Sequence, residues 1–189
     1  MELTADGTRK VVQVGGHDVA YHDVGSGPAV LFLHGSGPGV TGWANFGANL
    51  PQLQGIRSIV VDQPGFGASG RAEVYERNYL DISADAVLGL MDALGLEQAG
   101  LVGNSMGGDV AVTLTLDHPE RVSRLLLNGP GGTGVPVLGP SPSEGILRLM
   151  DFYADPTRER IVDWLKTMVF DQRILTEELI ESRFAAATA

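Results

Sequence analysis

The chain has 189 residues, 43% of them hydrophobic and 19% charged, which is ordinary composition for one folded domain and excludes intrinsic disorder. With 13 Lys+Arg against 23 Asp+Glu the net charge is −10, a poor match for nucleic-acid phosphates or anionic lipid. There is no cysteine, which excludes disulfides, a thiolate nucleophile and Cys-ligated metal. The longest apolar run, Ala29–Leu33, is far shorter than a membrane helix, and MELTADGTRK has no secretory h-region. A cytoplasmic protein with neither nucleic-acid nor membrane partners is expected.

In chain order, Lys10–Val14 and Asp18–Asp23 alternate apolar and polar residues around Gly15-Gly16, the pattern of a β-hairpin. Ala29–Leu33 is a continuous apolar run, predicting a strand buried on both faces, and Ser58–Val61 is read as another buried strand. Trp43–Leu53 is predicted as a helix, with Pro51 against it. Tyr79–Leu94 has helical spacing through Leu80, Val87, Leu88, Met91 and Leu94. Ala99–Val102 is a strand, Met106–Leu116 a helix and Val122–Leu127 a strand. After an antiparallel start this is the β-α-β alternation of a parallel sheet covered on both faces. Beyond Gly129 come Gly, Pro and Ser, then only helices: Ile146–Tyr153, Arg158–Phe170, and a third opened by Thr176-Glu177-Glu178 as N-cap and acidic first turn. The spacing places a boundary between a sheet domain, 1–139, and a helical element, 140–189.

The 26 glycines, about 14% and roughly twice the usual share, gather at the ends of apolar runs. Gly103-Asn104-Ser105-Met106-Gly107 is a G-x-S-x-G between a strand and a helix. A serine there is thrust out on a strained turn, and glycines two residues either side avoid collision with strand and helix. The helix N-terminus then aims the Met106 N–H at an oxyanion. With 10 serines, roughly 0.2 such matches arise by chance, so the setting carries more weight than the pattern. His34-Gly35-Ser36-Gly37-Pro38-Gly39 follows Ala29–Leu33 and reaches the same carboxyl edge of the sheet, where the Ser36 N–H is placed to complete an oxyanion pair. His34 suits bracing this loop better than acting as a base.

A competing pattern, G-x-G-x-x-G, occurs at Gly37/Gly39/Gly42, Gly65/Gly67/Gly70 and Gly129/Gly131/Gly134. With Asp62 ending the next strand, the first resembles a dinucleotide site, but Pro38 and Pro51 break the helix it needs.

Taken together, HGSGPGVTGWANF (34–46), VDQPGFGASG (61–70), LVGNSMGG (101–108), LNGPGG (127–132) and YADPTRERIVDWLKTMVFDQRILTEELIESRF (153–184) resemble the α/β-hydrolases, and among them the meta-cleavage-product hydrolases. The resemblance spans nearly the whole chain. It implies an α/β fold with a mostly parallel sheet, an antiparallel N-terminal hairpin and a partial helical lid. It also implies hydrolysis of a carbon–carbon bond in 2-hydroxy-6-oxo-dienoates, the ring-fission products of aromatic or steroid catabolism. Ser105 would be the nucleophile, with the Met106 and Ser36 N–H groups forming the oxyanion hole beside Gly37. Asn45 and Asn104 would contact the polar dienoate end, and Arg183, whose planar fork suits a carboxylate, would hold its acid group. Arg173 is a second, less consistent lid cation. The enol would ketonise first. Ser105, or a water it activates, would then attack the remote carbonyl, releasing a carboxylic acid and a hydroxydienoate. No metal or organic cofactor is implied, and the family tends to form homo-oligomers.

The chain departs from the family in one respect. The triad order is Ser, acid, His, yet the only histidine after Ser105 is His118, 13 positions along the following helix and roughly 20 Å away. His17 and His22 lie in the hairpin, Asp109 and Asp117 on the helix after Ser105, and Asp151, Asp155, Asp163 and Asp171 in the lid. No strand is predicted after Val122–Leu127, so the last strands of the family's sheet are missing. The expectation is the N-terminal part of a longer hydrolase, nearly inert by itself. Alternatives are a general carboxylesterase, a non-catalytic ligand-binding remnant of the fold and a dinucleotide-binding oxidoreductase. Haloalkane dehalogenases and epoxide hydrolases need a carboxylate where Ser105 stands.

Overall fold

The structure, a computed structural model, describes residues 3–71, 76–131 and 141–188. They divide into two units, one of residues 1–36 and 41–131, the other of 37–40 and 132–189. The expected boundary at 139/140 lies outside the described residues.

The first unit is built on a six-stranded sheet. Helix α1 (Ala5–Thr8) precedes β1 (Arg9–Val14) and β2 (His17–Gly25), which pair antiparallel. The two residues joining them, Gly15 (φ 56°) and Gly16 (φ 85°), are both left-handed, as a tight hairpin turn matching strand twist requires. Then come β3 (Ala29–Leu33), β4 (Arg57–Val61), β5 (Ala99–Asn104) and β6 (Val122–Asn128). The spatial order is β1-β2-β4-β3-β5-β6. β2 runs antiparallel to β4, while β3, β4, β5 and β6 run parallel. The carboxyl ends of four strands therefore share one edge, where the glycine-rich loops emerge.

Period-two alternation distributes the apolar runs between two cores. Leu31, Leu33, Ile59 and Val61 join Val87, Leu90 and Met91 of α3 (Tyr79–Ala93) and Val110, Ala111 and Leu114 of α4 (Met106–Asp117). Phe32 and Val60 face the other way, onto Phe46 and Leu50. Truncating Leu31 or Leu33, both fully buried, to alanine would cost about 2–5 kcal/mol. β6 differs: Ser123–Asn128 is exposed along its length, including Leu125, Leu126 and Leu127.

Two segments differ from expectation. Trp43–Leu53 is not one helix but α2 (Gly42–Phe46) followed by a 3-10 segment, Gly47–Gln52. Pro51 lies in the latter; lacking an N–H and clashing with the preceding turn, it cannot continue the α-helix. β5 extends two residues further, through Gly103 and Asn104, which carries the sheet to the serine itself.

The second unit contains α5 (Glu144–Ala154), α6 (Arg158–Met168) and α7 (Glu177–Thr188). Ser143, Thr157 and Thr176 each accept an N–H of the following first turn, the capping that sets where a helix starts. Phe152, Ile161, Trp164, Leu165 and Ile180 form its core, and Arg158 ties α6 to Glu177 and Glu181 of α7. Gly37 lies under the Trp164 ring, and a Cβ on Gly39 (φ 63°) would stand 2.6 Å from the Arg183 carbonyl oxygen. Segment 37–40 thus packs with the helices because its glycines permit backbone contact.

Candidate active site

Ser105 stands between β5 and α4 at φ 51°, ψ −121°, the only non-glycine residue with positive φ among the described residues. Such a conformation costs of order 1–3 kcal/mol and persists only where surroundings enforce it. The Ser105 N–H donates to the Asn128 carbonyl (3.0 Å), while its own carbonyl accepts from Gly108 N (2.8 Å) and Gly131 N (3.3 Å). The flanking glycines are sterically required. A Cβ on Gly103 would stand 2.5 Å from the Gly107 carbonyl oxygen, and one on Gly107 would stand 2.6 Å from that of His34. Met106 is the first helical residue, so its N–H has no partner within α4.

The loop after β3 lies against this elbow. A Cβ on Gly35 would be 3.1 Å from the Ser105 Cβ, and Ser36 is the next residue along. Its anchors are buried and polar. His34 Nδ1–H donates to the Gly35 carbonyl (2.7 Å), and Nε2 accepts the Gln63 N–H (3.0 Å). Gln63 Nε2 donates to the His34 carbonyl (2.6 Å), and Gln63 Oε1 accepts the Ser83 hydroxyl (2.9 Å). Both ring nitrogens are committed, and burial holds the His34 pKa below the ordinary imidazole value. His34 is a brace.

Asp62 holds two further loops, accepting from Gly42 N (2.7 Å) and Ala68 N (3.0 Å). Both its oxygens are engaged with backbone, which removes it from the ribose role of the competing dinucleotide pattern. Composition and spacing alone do not mark Asp62 and Gln63 as braces. Their position directly after a buried strand and before Gly65 is the signal that points to them.

The structure brings Asn45 and Asn104 together: Asn104 Nδ2 donates to Asn45 Oδ1 (2.9 Å), which also accepts from Gly35 N (3.4 Å). The other histidines are placed elsewhere. His22 is buried against Trp43, with Nδ1 3.0 Å from the Thr8 hydroxyl; His17 starts β2; His118 caps the far end of α4 beside Glu120. Among the described residues no histidine hydrogen-bonds the Ser105 hydroxyl, and no cluster of three or more metal-ligating side chains occurs. No described helix is long and apolar enough to cross a membrane.

In the second unit Arg148, Arg158, Arg160 and Arg173 each pair with a carboxylate. Arg183 pairs with none among the described residues; its Nη1 donates to the Gly39 carbonyl at 3.4 Å, and burial lowers its pKa. Gly134 of the third glycine pattern lies outside the described residues.

Residues 28–187 match the family described as alpha/beta hydrolase fold. The chain is 41% identical over 192 residues to a 2-hydroxy-6-oxo-6-phenylhexa-2,4-dienoate hydrolase of Comamonas testosteroni, covering 98% of this chain and 67% of that one. It is 47% identical to a 2-hydroxy-6-oxononadienedioate/2-hydroxy-6-oxononatrienedioate hydrolase of Burkholderia vietnamiensis, covering 87% and 58%. The meta-cleavage product hydrolase of Pseudomonas fluorescens IP01 superposes with a TM-score of 0.86 at 35% identity, covering 96% of this chain and 64% of that one. The 2-hydroxy-6-oxo-6-phenylhexa-2,4-dienoate hydrolase of Rhodococcus sp. strain RHA1 gives 0.84 at 30% identity, covering 96% and 68%. The chain thus spans between 58% and 68% of the length of these relatives. An elbow serine on a parallel sheet, a braced glycine loop beside it and these likenesses agree: the chain belongs to the alpha/beta hydrolase fold family and, within it, to the meta-cleavage product hydrolases.

Proposed function

We propose that this chain carries the nucleophile and substrate-binding half of a serine-dependent hydrolase that cleaves a carbon–carbon bond in 2-hydroxy-6-oxo-dienoates. The observation that carries the reading is the left-handed Ser105, held at the carboxyl edge of the sheet with the Gly35 loop against it. Residues 1–139 supply the hydrolase core and 140–189 part of a lid. The enol of the substrate ketonises, which turns the departing carbon fragment into a leaving group able to accept an electron pair. Ser105 Oγ, or a water it activates, adds to the remote carbonyl while the N–H groups of Ser36 and Met106, beside Gly37, receive the oxyanion. The oxyanion then collapses and the carbon–carbon bond breaks. Its electron pair goes to the ketonised fragment, which takes up the proton the nucleophile gave up and leaves as the hydroxydienoate. The other fragment leaves as the carboxylic acid, directly where water attacked or after water hydrolyses the acyl bond to Ser105.

Asn45 and Asn104 hold the polar end of the dienoate, and Arg183 holds its carboxylate. What supports Arg183 is its lack of a carboxylate partner among the described residues, in a unit whose other arginines are all paired. A desolvated guanidinium gains most from a bidentate anion. The same reading carries a cytoplasmic location and a homo-oligomeric assembly.

The placement of the four histidines favours a second statement: within these 189 residues the dienoate is bound without being turned over. The test uses 2-hydroxy-6-oxo-6-phenylhexa-2,4-dienoate and follows its chromophore. Binding is expected, weakened at least about tenfold in Arg183→Met, the worth of a charge-assisted hydrogen bond. Turnover should not exceed that of Ser105→Ala. No binding would refute the dienoate reading, and turnover abolished by Ser105→Ala would show that a base is present after all.

A further inference from the structure

Three asparagines stand in a row at the carboxyl edge of the sheet. Asn104 and Asn128 are register partners at the ends of β5 and β6, and Asn45 meets them from α2. The direction of every amide in the row follows from one end. The Gly35 N–H can only donate, so the Asn45 atom 3.4 Å from it is Oδ1. That oxygen also takes Asn104 Nδ2 at 2.9 Å. Asn104 must then turn its Oδ1 the other way, where Asn128 Nδ2 donates to it at 3.4 Å. Asn45 Nδ2 is left with no protein partner among the described residues.

We infer that Asn128 is a positioning residue that supports the direction set by the Gly35 N–H, by donating to Asn104 Oδ1. With Asn128 donating, Asn104 and Asn45 are held so that the group left over is an N–H donor. The corner therefore selects a ligand oxygen that only accepts, a carboxylate, carbonyl or enolate oxygen, and disfavours one that must donate. This rests on the reading that Asn45 and Asn104 hold the polar end of a dienoate; it adds a residue and a polarity which that reading does not contain. The main-chain carbonyl of Asn128 holds the Ser105 N–H, and no side-chain change removes that bond. The Asn128 side chain is exposed, so its replacement leaves the core intact.

An aspartate at 128 accepts and does not donate. Asn104 then turns Nδ2 towards it and offers Oδ1 to Asn45, so Asn45 must either give up the Gly35 N–H or face it with its own N–H. A residue that merely packed would tolerate the isosteric Asn128→Asp better than Asn128→Ala. The polarity lock gives the reverse order. The experiment measures binding of 2-hydroxy-6-oxo-6-phenylhexa-2,4-dienoate by its absorbance change in a Ser105→Ala background, with thermal unfolding to confirm folding. Asn128→Gln, which keeps a donor, should bind within about threefold of the parent. Asn128→Ala should bind about threefold more weakly and Asn128→Asp about tenfold more weakly, one hydrogen bond's worth. Repeating at about 0.5 M salt separates polarity from repulsion between the new charge and an anionic ligand, since salt screens only the latter. Asn128→Asp binding as well as Asn128→Ala, or recovering fully in salt, overturns the inference and leaves the dienoate reading standing. Failure of the Ser105→Ala parent to bind overturns the dienoate reading and the inference with it.

Discussion

Gly107 rides on the backbone of Leu33: a Cβ built on it would stand 2.5 Å from the Leu33 carbonyl carbon. The first turn of α4 is thereby seated on the end of β3, and the helix N-terminus is brought beside Ser105. No rotamer relieves such a collision, because the obstructing atoms are main chain. Gly107→Ala is therefore expected to lose about 3 kcal/mol despite alanine's better helix propensity. Ser105→Gly should act in the opposite direction and gain about 1 kcal/mol, since glycine tolerates φ 51° without strain. Urea unfolding of both variants and Ser105→Ala measures this. A Ser105→Gly midpoint no higher than that of Ser105→Ala would remove the strain argument.

The elbow was legible in the sequence because its constraints are local. Strand, glycine, serine, glycine and helix follow one another within a few residues, and each has a steric reason. The parallel sheet was legible because Ala29–Leu33 is apolar on both faces and Ile59–Val61 continues the pattern in the next strand, and the structure buries Leu31, Phe32 and Leu33 together. The asparagine row was not. Asn45, Asn104 and Asn128 are far apart in the chain, and only the register of β5 with β6 brings two of them side by side. Asp62 illustrates another kind of loss: a carboxylate after a strand suits a ribose or a loop clamp equally, and only Gly42 N and Ala68 N at its oxygens decide. α1 escaped because four residues capped by Thr4 have no periodicity to read.

Protonation of His34 would set a second ring N–H against the Gln63 N–H that Nε2 now accepts. Burial opposes the same charge, and His22 is likewise held below its ordinary 6.5 chiefly by desolvation. Both histidines are thus neutral in the fold and more basic in the unfolded chain. Their contribution is complete at about a unit above 6.5 and is lost as pH falls through 6.5 towards the lower folded values. Urea midpoints at pH 7.5, 6.5 and 5.5, values chosen around the ordinary imidazole pKa of about 6.5, should fall slightly between the first two, since the unfolded rings are already partly protonated at 6.5, and more steeply to the third. A level profile throughout would mean that neither ring resists protonation.

Among the described residues no strand pairs with the outer edge of β6, which shows three consecutive leucines, with Leu126 58% exposed. Unpaired edges of this kind recruit another strand, and a leucine run on both faces has no reason to stay in water. The opposing term is charge: at −10 per chain, two copies repel, but only within a Debye length of about 8 Å at physiological salt. Self-association of the 189-residue chain through this edge is therefore expected, stronger as salt is raised from about 0.02 to 0.5 M. Leu126→Lys places an ammonium on the edge and should return the chain to monomer at both salts, with its unfolding midpoint unchanged because the site is exposed. Sedimentation velocity across a concentration series reads the outcome. A monomer at every concentration and salt would show that the open edge is protected, and association unaffected by Leu126→Lys would place the contact on another surface.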